Sequence, residues 1–249
     1  MKWHTSKFVH FAHAMGMITI LTASISSSAI AQLGLVSEKQ ELDAGRKADE
    51  DIRAKSKIST DKNLNGLVSH LGARLTKVSE RPNLDWKFRV IVDKQLNAFS
   101  VPGFVYVNTG LIEATKGNQD MLAGVIAHEV GHTTGKHAVK QMEKSAVGGL
   151  LAGLIGGKNN TAGALAGVAG NLILLGYSRD DENDADRRAV RYMLKAGYDP
   201  NDLVSFFELL AEKEKGGGSG IEKYLRTHPA SAERVDRVRK EITKQRNGD

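Results

Sequence analysis

The chain contains no cysteine, which excludes disulfides, thiolate metal ligands and a thiol nucleophile together. The acceptor for a lipid anchor behind an export signal is missing for the same reason. Long hydrophobic runs are scarce too. The stretch from about Ala14 to Ile25 is interrupted by Thr19, Thr22 and Ser24 and is short of the roughly 20 apolar residues that a bilayer span needs. Aromatic residues are few, and the basic carboxyl end (Arg234, Arg237, Arg239, Lys240, Lys244, Arg246) has Glu233, Asp236 and Glu241 interleaved with it. That pattern reads as a solvated helix face with i,i+4 charge pairs and argues against nucleic-acid binding. No internal repeat of roughly 30–45 residues is present, so nothing suggests an attached helical-repeat scaffold.

The first residues have the form of an export signal. Lys2 and Lys7 stand there without an acidic partner, the apolar stretch follows, and small residues end in Ala29-Ile30-Ala31. This places a signal peptide over residues 1–31, with cleavage before Gln32 favoured over retention as an uncleaved membrane anchor. Residues 32–249 then form one domain, or two closely packed subdomains within it, long enough to bury a substantial core. An exported chain without disulfides suits the periplasm, where its stability must come from that core.

The pattern along the chain is α+β, mainly helical with a small antiparallel sheet. Helix formers run from Ser37 to about Lys57, and a second helix from Lys62 to Val78 aligns Leu64, Leu67, Val68, Leu71 and Leu75 on one face. Strands are expected at Trp86–Val92, Asn97–Ser100 and Phe104–Asn108, the last two turning at Pro102-Gly103. Helices return over about Gln119–Lys144, Ser178–Lys195 with Ser178 as N-cap, Pro200–Lys215 and Ala230–Gln245. Lys215–Gly220 reads KGGGSG, a flexible connection.

Chemistry enters at His128-Glu129-Val130-Gly131-His132, inside the apolar helical run MLAGVIAHEVGH. Histidines at i,i+4 share one helix face, so both imidazoles can reach one zinc ion. Glu129 then lies beside the metal as a general base. Catalytic zinc needs a third protein ligand and an open position. SRDDENDADRRAV offers Glu182 and Asp186 at i,i+4 on a helix, Glu182 to bind zinc and Asp186 to fix a ligand imidazole. Asp180, Asp181 and Asp184 read as a solvated acidic first turn.

Five of the eight histidines follow the leader. His137 stands five residues after His132, off the ligand face of a continuous helix, which suggests a surface position or one supporting a ligand. His228, in Thr227-His228-Pro229-Ala230, opens the last helix. It could reach the metal, donate to an oxyanion as a catalytic residue, or be an ordinary capping-region histidine.

Between these motifs lie GGLLAGLIGG (148–157) and AGALAGVAGNLILLGY (162–177), with glycine spacing that lets helices approach closely. A helical hairpin packed near the zinc helices is expected, with peripheral membrane contact as the other reading. This section or the KGGGSG loop could gate the cleft.

HEVGH, the later ENDAD, and Asn97-Ala98-Phe99 leading into Pro102-Gly103 together make residues 37–245 resemble metallopeptidase family forty-eight. These are gluzincins related to HtpX and the CAAX prenyl protease, with soluble LoiP- and BepA-like envelope domains among them. The resemblance implies a zincin-like fold and one Zn2+ per chain on His128, His132 and Glu182. It also implies catalysis by Glu129, support from Asp186, and a substrate edge strand at Asn97, Ala98 and Phe99. Thr227 to Pro229 matches a family Thr-His-Pro whose histidine restrains the site in BepA-like members, and Arg234 matches a family arginine. Phe104 stands where the family usually has a second glycine. The implied function is zinc-dependent hydrolysis of peptide bonds in misfolded or unassembled envelope proteins, unfolded outer-membrane proteins among them. The alternatives are a chaperone-like binding protein with a latent, autoinhibited zinc site, and a peptidase for short peptides.

Overall fold

The computed structural model describes residues 36–145, 176–216, 220–228 and 232–248. The expected signal peptide, nearly all of the glycine-rich section and the centre of the KGGGSG loop lie outside the described residues. The elements run α1 (Glu38–Lys55), α2 (Lys62–Lys77), β1 (Lys87–Ile91), β2 (Ala98–Val101), β3 (Phe104–Asn108), α3 (Thr109–Ala114) and α4 (Gln119–Thr134). A helix at 137–145, here α5, follows. After it come α6 (Arg179–Ala196), α7 (Asn201–Lys215), α8 (Glu222–Thr227) and α9 (Ala232–Asn247). The fold is α+β and mainly helical, as the sequence pattern implies.

The sheet differs in one respect from the expectation. Its order is β1-β3-β2, and it is mixed. The β2–β3 hairpin is antiparallel, turning at Pro102-Gly103 with Gly103 at φ 85, a left-handed position that glycine adopts without a steric penalty. β1, however, runs parallel to β3, with Lys87 opposite Phe104 and Ile91 opposite Asn108. Residues 92–97 carry the chain past the end of β3 instead of turning straight back. Gly110 leaves room for that crossing, since a Cβ there would stand 2.1 Å from the Lys94 carbonyl oxygen.

The sheet has apolar material on both faces. Val90, Ala98, Val105 and Val107 join the main core with α2, α4, α6 and α7. Tyr106, Val101 and Ile91 on the other face meet Ala44, Ala48 and Ile52 of α1. Asp49 of α1 fixes this second contact, accepting from Arg89 Nε at 2.6 Å and Nη2 at 3.0 Å and from the Tyr106 hydroxyl. Helix α4 runs through the middle. Every residue from Leu122 to Thr134 is buried, with the apolar residues in the core and the histidines and glutamate enclosed with them.

Three boundaries depart from the sequence reading. The helix expected over about Gln119–Lys144 breaks at Gly135, the C-cap of α4, and Lys136 takes φ 53 before α5 begins. Pro200 is the N-cap of α7, one place before its first helical residue. His228 does not open the last helix. It is the C-cap of the short helix α8, with its backbone N–H bonded to the Tyr224 carbonyl at 2.7 Å. Among the described residues no helix is long and apolar enough to cross a membrane.

Candidate active site

Helix α4 presents His128, Glu129 and His132, all essentially without solvent exposure. Asn118 caps its start, its side chain accepting from the Met121 N–H. The third ligand arrives on α6, and Gly131 sets how near α6 can come. A Cβ on Gly131 would lie 2.8 Å from the Ala185 carbonyl oxygen and 3.1 Å from its Cα, so the two helices touch backbone to backbone. Ser178 caps α6 in a reciprocal box with Asp181, and the carboxylates of the first turn favour the positive end of the helix dipole.

The four ligand atoms of His128, His132, Glu182 and His228 lie within 4.8 Å of one another. His128 Nε2 is 2.9 Å from His132 Nε2, and Glu182 Oε1 is 3.2 Å from His132 Nε2. His128 Nδ1 points the other way, 2.9 Å from Asp186 Oδ1, which puts the proton on Nδ1 and leaves the Nε2 lone pair facing the cluster. Two imidazole nitrogens directed at one point, with Glu182 Oε1 beside them and Glu129 Oε1 lacking a hydrogen bond, form a donor set that a divalent cation satisfies. Two histidines and a glutamate match what zinc takes in a peptidase. The residues present therefore fit zinc.

Arg234 of α9 is buried beneath these ligands. Its Nε and Nη2 donate to Asp186 at 2.7 and 2.8 Å, and its Nη1 stands 2.8 Å from Glu182 Oε2. Its guanidinium lies 4.2 Å from the Phe207 ring centroid. Burial opposes charge on Glu182, yet His228 and Arg234 hold its carboxyl well below the usual range. Asp186 is likewise lowered against burial, by Arg234 and by the hydrogen bond to His128. His132 is driven down by burial and by its neighbour His128.

His228 occupies the fourth corner. Its Nδ1 is 2.9 Å from Glu182 Oε1 and 3.2 Å from His128 Nε2, and its Nε2 is 3.5 Å from Glu129 Oε1. Burial works against its protonation, but the Glu182 and Glu129 carboxylates raise its pKa. Glu129 is also tied to the sheet, since Ser100 Oγ of β2 donates to its Oε2 at 3.1 Å. Asn97, Ala98 and Phe99 lead into this point along β2, which holds an outer place in the strand order. Ala98 lies in the main core, while Phe99 stacks on Tyr106 with centroids 4.9 Å apart.

Two readings of the acidic run need correction. Asp180 is exposed, but Asp181 is buried as the partner of Ser178, and Asp184 accepts from His137 Nε2 at 3.2 Å and Arg188 Nε at 2.6 Å. Neither is a merely solvated charge. His137 is not on the surface either, because its Nδ1 meets His132 Nδ1 at 2.8 Å. Sequence reasoning missed Tyr177, whose ring stacks on His132 at 3.8 Å, and Ser100. The one available signal for Tyr177 was an aromatic residue just before the N-cap of the ligand helix.

Comparison with known proteins agrees with this geometry. The family model described as "Peptidase family M48" matches residues 62–242. The mitochondrial metalloendopeptidase OMA1 of Schizosaccharomyces pombe is 31% identical over 173 residues, 69% of this chain and 51% of that protein. The beta-barrel assembly-enhancing proteases of Escherichia coli K12 and Yersinia pestis are each 26% identical. The alignments cover 83% and 88% of this chain, and 45% and 46% of those proteins. This chain thus spans about half the length of the relatives it matches. With a family model running from the second helix to the last, over a buried HExxH cluster completed by a glutamate, the chain belongs to peptidase family M48.

Proposed function

We propose that this chain is an exported zinc endopeptidase that cleaves misfolded or unassembled proteins of the cell envelope. The carrying observation is the convergence of His128, His132 and Glu182 on one point with Glu129 beside it in a buried pocket. These three side chains would hold the metal. Zinc bound there supplies Lewis-acid polarisation of a peptide carbonyl and acidifies water. Glu129 takes the proton of the attacking water and returns it to the leaving amine. Ser100 anchors Oε2 of Glu129, and Oε1, which has no hydrogen bond, is the oxygen placed for proton transfer. Asp186, neutralised by Arg234, keeps His128 in the tautomer that ligates through Nε2. An extended substrate segment would pair with the outer edge of β2, as peptides commonly add to a sheet edge.

Export and a periplasmic location rest on the leader-like first 31 residues. The choice of envelope substrates rests on similarity to proteases named for β-barrel assembly. The test is cleavage of casein and of a misfolded porin, with and without chelator. Wild type should be active and chelator-sensitive, and Glu129→Gln folded, zinc-loaded and inactive. An active Glu129→Gln enzyme would refute the assignment of the base.

A second reading is favoured by His228, whose Nδ1 fills the fourth corner. A site closed by four protein ligands leaves no place for water, and a protein in that state is a latent protease or a binding protein. In the same assay, His228→Ala activity above wild type supports latency. Activity below it supports His228 as a hydrogen-bond donor to the oxyanion.

A further inference from the structure

The carboxylate Asp186 holds His128, but among the described residues no carboxylate touches the outer nitrogen of His132. That nitrogen, Nδ1, faces another imidazole nitrogen, His137 Nδ1, at 2.8 Å. Both rings are buried, so water does not satisfy them. Two nitrogens at this distance need one proton between them, one ring donating and the other accepting. If His132 ligates through Nε2, its Nδ1 carries the proton and donates. His137 must then accept on Nδ1 and carry its own proton on Nε2. There it meets Asp184 Oδ2 at 3.2 Å, with Asp181 Oδ1 at 3.8 Å. The directions agree along the whole chain, from Asp184 through His137 to His132.

Local backbone geometry is built for this contact. On an uninterrupted helix the residue five places after His132 would point well away from it. The break at Gly135, with Lys136 at φ 53, swings His137 back. Gly135 itself has helical φ and ψ, so an alanine would suit its backbone. Its Cβ, however, would stand 2.4 Å from His137 Nε2 and 2.9 Å from Asp184 Oδ2. The space above Gly135 is filled by the His137–Asp184 pair.

We infer that His137, oriented by Asp184, is the positioning residue that fixes the tautomer and ring plane of His132 and so tunes the affinity of the zinc site. The inference rests on the zinc reading above and assigns the second histidine ligand a support unlike that of the first. An ionic carboxylate holds His128, whereas a neutral imidazole backed by a carboxylate holds His132.

The experiment is zinc affinity by chelator competition on the full chain, with cobalt absorption spectra as a second readout and thermal unfolding as a folding control. Wild type must bind one zinc; if it binds none, the zinc reading itself fails. His137→Phe keeps a ring but offers no acceptor, and should bind zinc about 10–100-fold more weakly, the range for lost ligand support. His137→Gln retains an acceptor and a donor and should recover most of that loss. Gly135→Ala, which leaves every ligand in place, should weaken zinc and alter the cobalt spectrum by displacing His137. It decides the matter if His137→Phe does not fold. Wild-type affinity and spectrum in Gly135→Ala, or in a folded His137→Phe, would overturn the inference.

Discussion

Arg234 and Gly131 show how single residues set this site. Arg234 is the buried counter-charge to Glu182 and Asp186. Truncating it to Met leaves two buried carboxylates without their shared counter-charge, a change that costs about 3–5 kcal/mol in comparable buried pairs. Urea unfolding of the metal-free protein should show that loss, and saturating zinc should restore part of it by engaging Glu182. Gly131→Ala acts by distance instead. Its Cβ would press on the Ala185 backbone, separating α4 from α6 and drawing Glu182 away from the histidines. Zinc affinity should fall in chelator competition while helix content by circular dichroism stays near wild type. The ligands were legible in the sequence because the chemistry fixes both residue type and spacing: histidines one turn apart, then a carboxylate on another helix. For His137 the sequence left a surface place and a supporting one open, and Asp184 read as solvated, because their contact depends on a helix break whose only mark in the sequence is Gly135 followed by a lysine.

At the scale of the elements, α1 is held to the sheet by few polar contacts, with Asp49 at their centre. Its pKa is lowered although burial raises it, because Arg89 and the Tyr106 hydroxyl donate to it. A carboxyl lowered in the folded state stabilises the fold fully above its ordinary value, about 3.9, and loses that contribution as pH falls through the lower folded value. Asp49→Asn should therefore cost about 1.5–3 kcal/mol at neutral pH, as for a hydrogen-bonded charge. The gap between the variant and wild type should close below about pH 4 in urea titrations across pH. Helix α6 supports a simpler expectation. Ser178→Ala removes the reciprocal cap at its start and should lower stability by about 1 kcal/mol. Most helices were readable from apolar spacing and caps. The parallel pairing of β1 was not, because local pattern marks a strand but not its neighbour, and the crossover depends on the room above Gly110.

At the scale of the whole molecule, the centre draws on residues far apart in the chain: His128 and His132 in α4, Glu182 and Asp186 in α6, and His228 and Arg234 beside and within the last helix. Zinc removal should therefore loosen the packing of several elements together. A ligand that binds only the folded state stabilises it by about 4 kcal/mol at a thousandfold excess over Kd. Calorimetry with chelator should show a single transition at lower temperature, and zinc should shift it back. The distribution also fixes an order of events during synthesis. When the second histidine of the pair is added to the growing chain, its glutamate is still some fifty residues from being made, and the arginine that neutralises the cluster is more than a hundred away. A chain made only as far as the histidine pair thus carries the cutting motif without the counter-charge that offsets its buried carboxylates, so hydrolytic competence must wait for the helix that bears Arg234.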